Sequence, residues 1–205
     1  MNPAYAAVLE CQDTYDPKAK WDMWFNVDDV AFGLRRTPDA DVWSFRGSDD
    51  IPDWFHDIQG WPTYSHYLGF VHSGFYHGIE ASWLHVLQNM RLDKEQKVNG
   101  HSLGAAHACM IAGMMVRHNI IVDELIAFGC PRPGFSELAK LNQQCTFLKL
   151  VKNCDDPVTE VPWMMGLYKH ACPQTLVNEP GTGDDLFKDH HIALYVAGVQ
   201  KLYGT

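Results

Sequence analysis

Residues 100–104 read Gly-His-Ser-Leu-Gly, and theirs is the spacing in this chain that most directly specifies a reaction. A serine hydroxyl is a weak nucleophile at neutral pH, so it reacts only where a base stands beside it and a carbonyl can reach it. In a G-x-S-x-G turn the serine occupies a sharp corner between a strand and a helix. The glycines relieve the crowding, and the next residue's amide points at the oxygen that becomes negative during attack. Gly100, His101 and Gly104 would form that corner, Ser102 would be the nucleophile and Leu103 would supply the amide. The implied chemistry is acyl transfer through a covalent serine ester. Ala105-Ala106-His107-Ala108-Cys109 continues in small residues, as a helix pressed against a sheet behind the turn requires.

Other reactive side chains suggest less. The six cysteines (Cys11, Cys109, Cys130, Cys145, Cys154, Cys172) contain no C-x-x-C arrangement and are expected to be free, mostly buried thiols. Eleven histidines raise the question of a metal, but there is no H-E-x-x-H, and His72 and His77 lack a third ligand at workable spacing. Neither a metal nor a cofactor is expected.

The elements that must hold the turn follow from periodicity. Asn2–Asp13 reads as an opening helix, and Val27–Leu34 with Asp41–Phe45 as a hairpin around Arg36-Thr37-Pro38-Asp39. Phe75–Met90 has helical spacing, and Ala105–Val116 is an almost wholly apolar helix. Leu125–Phe128 and Phe147–Val151 resemble interior parallel strands, Asn178–Asp185 a surface loop, and Asp189–Leu202 carries a further apolar face. Strands alternating with helices predict an α/β layered fold with a mostly parallel central sheet. One stretch conflicts with that pattern. Asp93–Asn99, which feeds the turn, offers only Val98 as a β-branched residue, so the central strand is expected to be short or to have lost residues.

Composition narrows the partners. A chain of 205 residues that is 46% hydrophobic suits one domain, residues 1–205. Its 16 basic and 25 acidic residues give a net charge of -9, which disfavours nucleic acid and anionic membranes. There is no apolar run of roughly 18 residues that could span a bilayer. The N-terminus lacks a signal core, so a soluble, cytoplasmic protein is expected.

With Gly-His-Ser-Leu-Gly-Ala-Ala in view, the chain resembles the class 3 lipases. Ser44-Phe45-Arg46-Gly47-Ser48 is similar to that family's oxyanion strand, Asp53-Trp54-Phe55-His56-Asp57 to its tryptophan-aspartate segment, and Val71-His72-Ser73-Gly74-Phe75 to the start of the next helix. Phe128-Gly129-Cys130-Pro131-Arg132-Pro133-Gly134, Asn153-Cys154-Asp155-Asp156-Pro157-Val158 and Asp189-His190-His191-Ile192 through Tyr195 follow in the family's order. The resemblance implies an α/β-hydrolase fold with helices on both faces of the sheet and an N-terminal helix and hairpin. It also implies a lipid or small ester as substrate, with transient contact at a lipid interface.

Residue roles follow from the same resemblance. Asp156, immediately before Pro157-Val158, is preferred to Asp155 as the acid, and His190 to His191 as the base. The amides of Ser48 and Leu103 would hold the oxyanion, with the Ser48 hydroxyl as a further donor. Ile51, Trp54, Phe55 and Ile58 share one helical face and would form a short packed helix, a lid or an acyl-binding wall. Two alternatives stay open: a scaffold that has lost its chemistry and serves in binding or structure, and an amidase or thioesterase using the same residues.

Overall fold

The computed structural model describes residues 1–48 and 61–204. Ile51, Trp54, Phe55 and Ile58 lie outside the described residues.

A seven-stranded sheet runs in the order β1-β2-β3-β6-β7-β8-β9. β1 (Met23–Val27), β2 (Val30–Arg36) and β3 (Ala40–Phe45) are antiparallel neighbours, and from β3 onward all pairings are parallel, through β6 (Glu95–His101), β7 (Glu124–Phe128), β8 (Phe147–Asn153) and β9 (Gln174–Val177). β4 (Pro62–Ser65) and β5 (Gly69–His72) form a separate two-stranded ribbon. Among the described residues the α-helices are α1 (Pro3–Asp13), α2 (Ser73–Tyr76), α3 (Ile79–Asn89), α4 (Leu103–Arg117), α5 (Ser136–Asn142) and α6 (Ile192–Tyr203).

Each face of the sheet has its own core. On one, Phe75, Ile79, Trp83 and the apolar run of α4 pack against Phe32, Trp43, Val98 and Leu125. On the other, Ala7, Val8 and Cys11 of α1 and Tyr195 and Val199 of α6 cover Ile126, Phe128 and Val151. Leu125–Phe128 is buried throughout because both sides of β7 are covered, which is why it reads as a continuous apolar run. The expected α/β layering, with helices on both faces, is the observed one.

Several local expectations need correction. Val27–Leu34 is not one strand. Asp28 and Asp29 both have positive φ (47° and 67°), a backbone that tight two-residue hairpin turns require and that aspartate tolerates, so β1 ends there and β2 begins at Val30. The helix over Phe75–Met90 breaks at Gly78, whose φ of 74° separates α2 from α3. The apolar face over Asp189–Leu202 belongs to α6, which begins after a 3-10 turn at Lys188–His190.

The polar strand before the turn is not short: β6 spans seven residues in the middle of the sheet. Its buried polar side chains are satisfied there. Gln96 accepts from Trp43 Nε1 at 3.1 Å and donates to the Arg91 and Lys94 carbonyls, while Asn99 Oδ1 accepts from Cys11 Sγ at 3.3 Å. A buried amide so paired costs far less than an unpaired one, so a central strand can carry it without β-branched residues.

The turn after β6 is held by close approach. A Cβ at Gly100 would stand 2.3 Å from the Gly104 carbonyl oxygen, and one at Gly104 would stand 2.2 Å from that of Phe45. The first turn of α4 therefore rests directly on the end of β3, and both obstacles are backbone. Gly104→Val should cost about 3 kcal/mol or more, because neither neighbour can yield by a rotamer change. Urea unfolding checks this. The expected result is a lower midpoint with an unchanged m-value, and an unchanged midpoint would show that the contact relaxes freely.

Candidate active site

Ser102, Gly129 and Asp156 lie just beyond the C-terminal ends of three adjacent parallel strands, β6, β7 and β8, the edge where sites of such sheets form. Ser102 has φ 60° and ψ -129°, a strained backbone for a residue with a side chain. Its amide donates to the Phe128 carbonyl at 3.0 Å, and its own carbonyl accepts from Ala105 at 2.9 Å. The side chain is fully buried, and Ser102 Oγ has no hydrogen-bond partner among the described residues.

Asp156 is also fully buried. One carboxylate oxygen accepts from the Val158 amide at 2.9 Å, capping the 3-10 turn at Pro157–Glu160. The other accepts from His190 Nδ1 at 2.6 Å and from the Tyr195 hydroxyl at 2.5 Å. Burial alone would raise this carboxyl, but the His190 charge and the hydrogen bonds from His190, Tyr195 and the Val158 amide hold it below its ordinary value. The group is thus a carboxylate, and His190 Nδ1 carries the proton between them. In the neutral imidazole Nε2 is then the lone-pair nitrogen, and this buried atom has no hydrogen-bond partner among the described residues.

The segment bearing His190 is fastened to the strand leading to Asp156. Asn153, at the end of β8, donates to the carbonyls of Glu179 (2.8 Å) and Asp189 (2.9 Å) and accepts from the Glu179 amide (2.9 Å). Gly129 forms the floor. With φ 56°, it lies where a Cβ would meet His190 Cε1 at 2.8 Å and Asp156 Oδ2 at 3.1 Å.

The structure separates the two ambiguous pairs. Asp156 and His190 meet inside the protein, whereas Asp155 and His191 are exposed, His191 as the residue before α6. Leu103 is the first residue of α4, so its amide belongs to the helix's first turn, which has no intrahelical acceptor. Ser48 is half-buried beyond the end of β3. Its neighbour Gly47 packs so tightly on the turn that a Cβ there would stand 2.9 Å from Ser102 Cβ.

Three residues have contacts here that the sequence does not assign to them. Tyr195 reads as one apolar residue of a terminal helix, yet a buried phenol must find a partner, and that requirement was the available signal. Asn153 and Tyr15 give no local signal, because their partners lie on other elements. Among the described residues no group of three or more histidine, cysteine or acidic side chains is arranged to hold a metal ion. All six cysteines are free, and Cys11, Cys109, Cys130 and Cys145 are buried.

A mostly parallel sheet of this order, with a G-x-S-x-G corner, an acid after a later strand and a histidine last in the chain, has the α/β-hydrolase architecture. The chain belongs to the class 3 lipase family, whose pattern matches residues 42–165. Its backbone is similar to that of Rhizomucor miehei lipase in a propeptide complex, with a TM-score of 0.70, 22% identity, and coverage of 85% of this chain and 65% of that one. It is also similar to the mono- and diacylglycerol lipase of Aspergillus oryzae, with a TM-score of 0.68, 24% identity, and coverage of 90% and 82%. A third similar structure is a triacylglycerol lipase whose catalytic centre is a serine protease triad, with a TM-score of 0.67, 20% identity, and coverage of 86% and 77%. The chain thus spans just under two thirds of the length of the propeptide-complexed lipase. No protein of curated function matches it in sequence.

Two histidines beside the turn make stability pH-dependent. Burial, joined by the His190 charge, lowers His101 to about 3, and burial lowers His107 to about 3. Both rings therefore stay neutral in the folded protein while the unfolded chain takes up protons below about 6.5. Their contribution is fully present above that pH and is lost as pH falls toward 3, at about 1.4 kcal/mol per pH unit for each ring. Urea midpoints measured from pH 6.5 to 5 should fall accordingly, and His107→Met should lower the slope by one proton's worth. An identical slope in the variant would mean that the His107 ring is protonated inside the fold.

Proposed function

We propose that the protein is a carboxylic-ester hydrolase acting on lipid or related esters, with Ser102 as nucleophile, His190 as base and Asp156 as the acid that orients it. One observation carries this reading: Ser102 Oγ and His190 Nε2 are both buried without partners among the described residues, at a site where the imidazole is already tied to a buried carboxylate through Nδ1. Leaving two polar atoms unpaired costs free energy, and nucleophilic catalysis needs a hydroxyl and a lone pair held ready in this way. The hydrogen bond between such groups often tightens only when substrate is bound.

In the reaction, Ser102 Oγ attacks the ester carbonyl while its proton passes to His190 Nε2. The imidazolium that forms is stabilised by Asp156, which keeps its own charge throughout. Negative charge on the former carbonyl oxygen is held by the amides of Ser48 and Leu103, each such donor typically worth about 3 kcal/mol of barrier. As the tetrahedral intermediate collapses, Nε2 returns the proton to the departing alcohol and the acyl group stays on Ser102. A water then gives its proton to Nε2, attacks the acyl carbonyl, and releases the acid and the free serine. The side chains named here suffice for each proton transfer.

The family supports a lipid ester as substrate class, and the similar structures include lipases of triacylglycerols and of mono- and diacylglycerols. Pocket shape, not the triad, selects among such esters. Among the described residues no helix is long and apolar enough to cross a membrane.

The test is hydrolysis of p-nitrophenyl esters from acetate to palmitate by wild type and Ser102→Ala, with fluorophosphonate labelling in parallel. Turnover should fall about a thousandfold or more in the variant, and label should enter the wild type alone. Equal rates from two folded proteins would overturn the proposal and leave the fold as a binding scaffold.

A further inference from the structure

His101, inside the nucleophile turn, has both ring nitrogens occupied. Nε2 lies 2.9 Å from the carbonyl oxygen of His190, and Nδ1 lies 2.9 Å from the hydroxyl of Tyr15. A carbonyl oxygen only accepts, so Nε2 carries the proton and Nδ1 is the acceptor. Tyr15 must therefore donate its proton to Nδ1, and its oxygen accepts in turn from the Gly47 amide at 3.1 Å. The direction of every bond is thereby fixed: Gly47 N–H to Tyr15 O–H to His101, and His101 N–H to the backbone of His190. The His101 ring also stacks on the His190 ring, with centroids 4.8 Å apart and planes at 29°.

The geometry points to Tyr15 and His101 as positioning residues for the reaction proposed above: together they tie the Gly47-Ser48 segment to the backbone and ring of His190. This rests on His190 being the base and Ser48 an oxyanion donor. The two ends of the chain are the two groups that must be in register around Ser102, and Tyr15 is close enough to couple them. The point where a Gly47 Cβ would sit is 2.4 Å from the Tyr15 hydroxyl and 2.9 Å from Ser102 Cβ. Neither side chain needs to touch the substrate. His101 holds the face of the His190 ring and its carbonyl, while Asp156 holds its Nδ1, so rotation of the imidazole is opposed from two directions. Tyr15 selects the tautomer that lets His101 do this. With the hydroxyl removed, Nδ1 loses its donor, and the competing tautomer would set a lone pair against the His190 carbonyl.

Tyr15→Phe is the direct test, since it keeps the ring that lies beneath the Arg46 guanidinium (5.5 Å) and lines a cavity of about 710 Å³ with Trp21, Trp24 and Lys20. Kinetics are measured per fluorophosphonate-titrated site. The expectation is a roughly ten- to hundredfold fall in kcat, the scale of a small misplacement of catalytic groups, with KM within about twofold. His101→Gln, which keeps an N–H donor for the His190 carbonyl, should recover more activity than His101→Leu. The Tyr15→Phe/His101→Leu double variant should be no worse than the poorer single, since both break one chain. Unchanged kcat in Tyr15→Phe, or losses that multiply in the double variant, would overturn the inference even if the melting temperature falls. Nitrogen-15 spectra of the histidine rings give a readout independent of turnover. They should show the Nε2–H tautomer alone at His101 in wild type and a mixture in Tyr15→Phe, and the same single tautomer in both would reject the role of Tyr15. A wild type that cleaves no ester would sink the enzymatic reading and the catalytic purpose of the chain, while the spectra would still decide whether Tyr15 sets the tautomer.

Discussion

A charge removed from water must be surrounded by donors, and in this fold the charge is the Asp156 carboxylate. Left unpaired, it would cost several kcal/mol or would protonate. Its oxygens are met by a backbone amide from its own 3-10 turn, by the Tyr195 hydroxyl from α6 and by His190 Nδ1 from the segment before α6. Two distant stretches of the chain thus have to arrive at one point, and the core of Ile126, Phe128, Val151 and Val199 brings them there. Asn153 takes up the backbone groups of the intervening loop, so that the loop can pass over the sheet edge without leaving its carbonyls unpaired. Stability and site geometry are here the same set of contacts. The hydrogen bonds that make the buried carboxylate tolerable also fix which nitrogen of His190 is engaged and which is left without a partner among the described residues.

The G-x-S-x-G turn meets its constraint differently, by exclusion. Gly100 and Gly104 are required because backbone meets backbone at distances no Cβ allows, and the reward is a serine held in a backbone conformation it would not adopt alone. Strain of that kind persists only against a rigid support. α4 supplies it, with Gly104 to Met115 all buried between the sheet and α2, α3 and α5.

How much of this was legible in the sequence depended on whether a feature is local. The turn was, since G-x-S-x-G and the small residues after it express a steric demand felt within a few positions. The alternation of apolar strands with helices gave the layers, because β7 and β8 are interior and read as continuous apolar runs. Asp156 and His190 became legible only through the ordered resemblance, and choosing them over adjacent Asp155 and His191 depended on family position, since burial is not written in a dipeptide. β6 does not read as a central strand because two of the partners that satisfy its buried polar side chains, Trp43 and Cys11, are distant in sequence. β1 was missed because two aspartates, not Asn-Gly, make its hairpin. Tyr15 belongs to no periodic pattern. Its meaning exists only once His101 and Gly47 are beside it.

The neutrality of His101 gives the proposed mechanism its electrostatic balance. During acyl transfer His190 becomes an imidazolium with the His101 ring stacked 4.8 Å away. Two cationic rings at that separation, both out of water, would oppose the step that has to be favoured. Burial holds His101 far below the working range of a histidine, so this neighbour contributes a hydrogen bond and a stacked ring but no charge. In that mechanism the positive charge of the reacting imidazole is answered by the Asp156 carboxylate bound at its Nδ1. The surroundings of the two residues are therefore complementary: one ionisable group is buried with donors so that it stays charged, and the other is buried between a phenol and a carbonyl so that it does not.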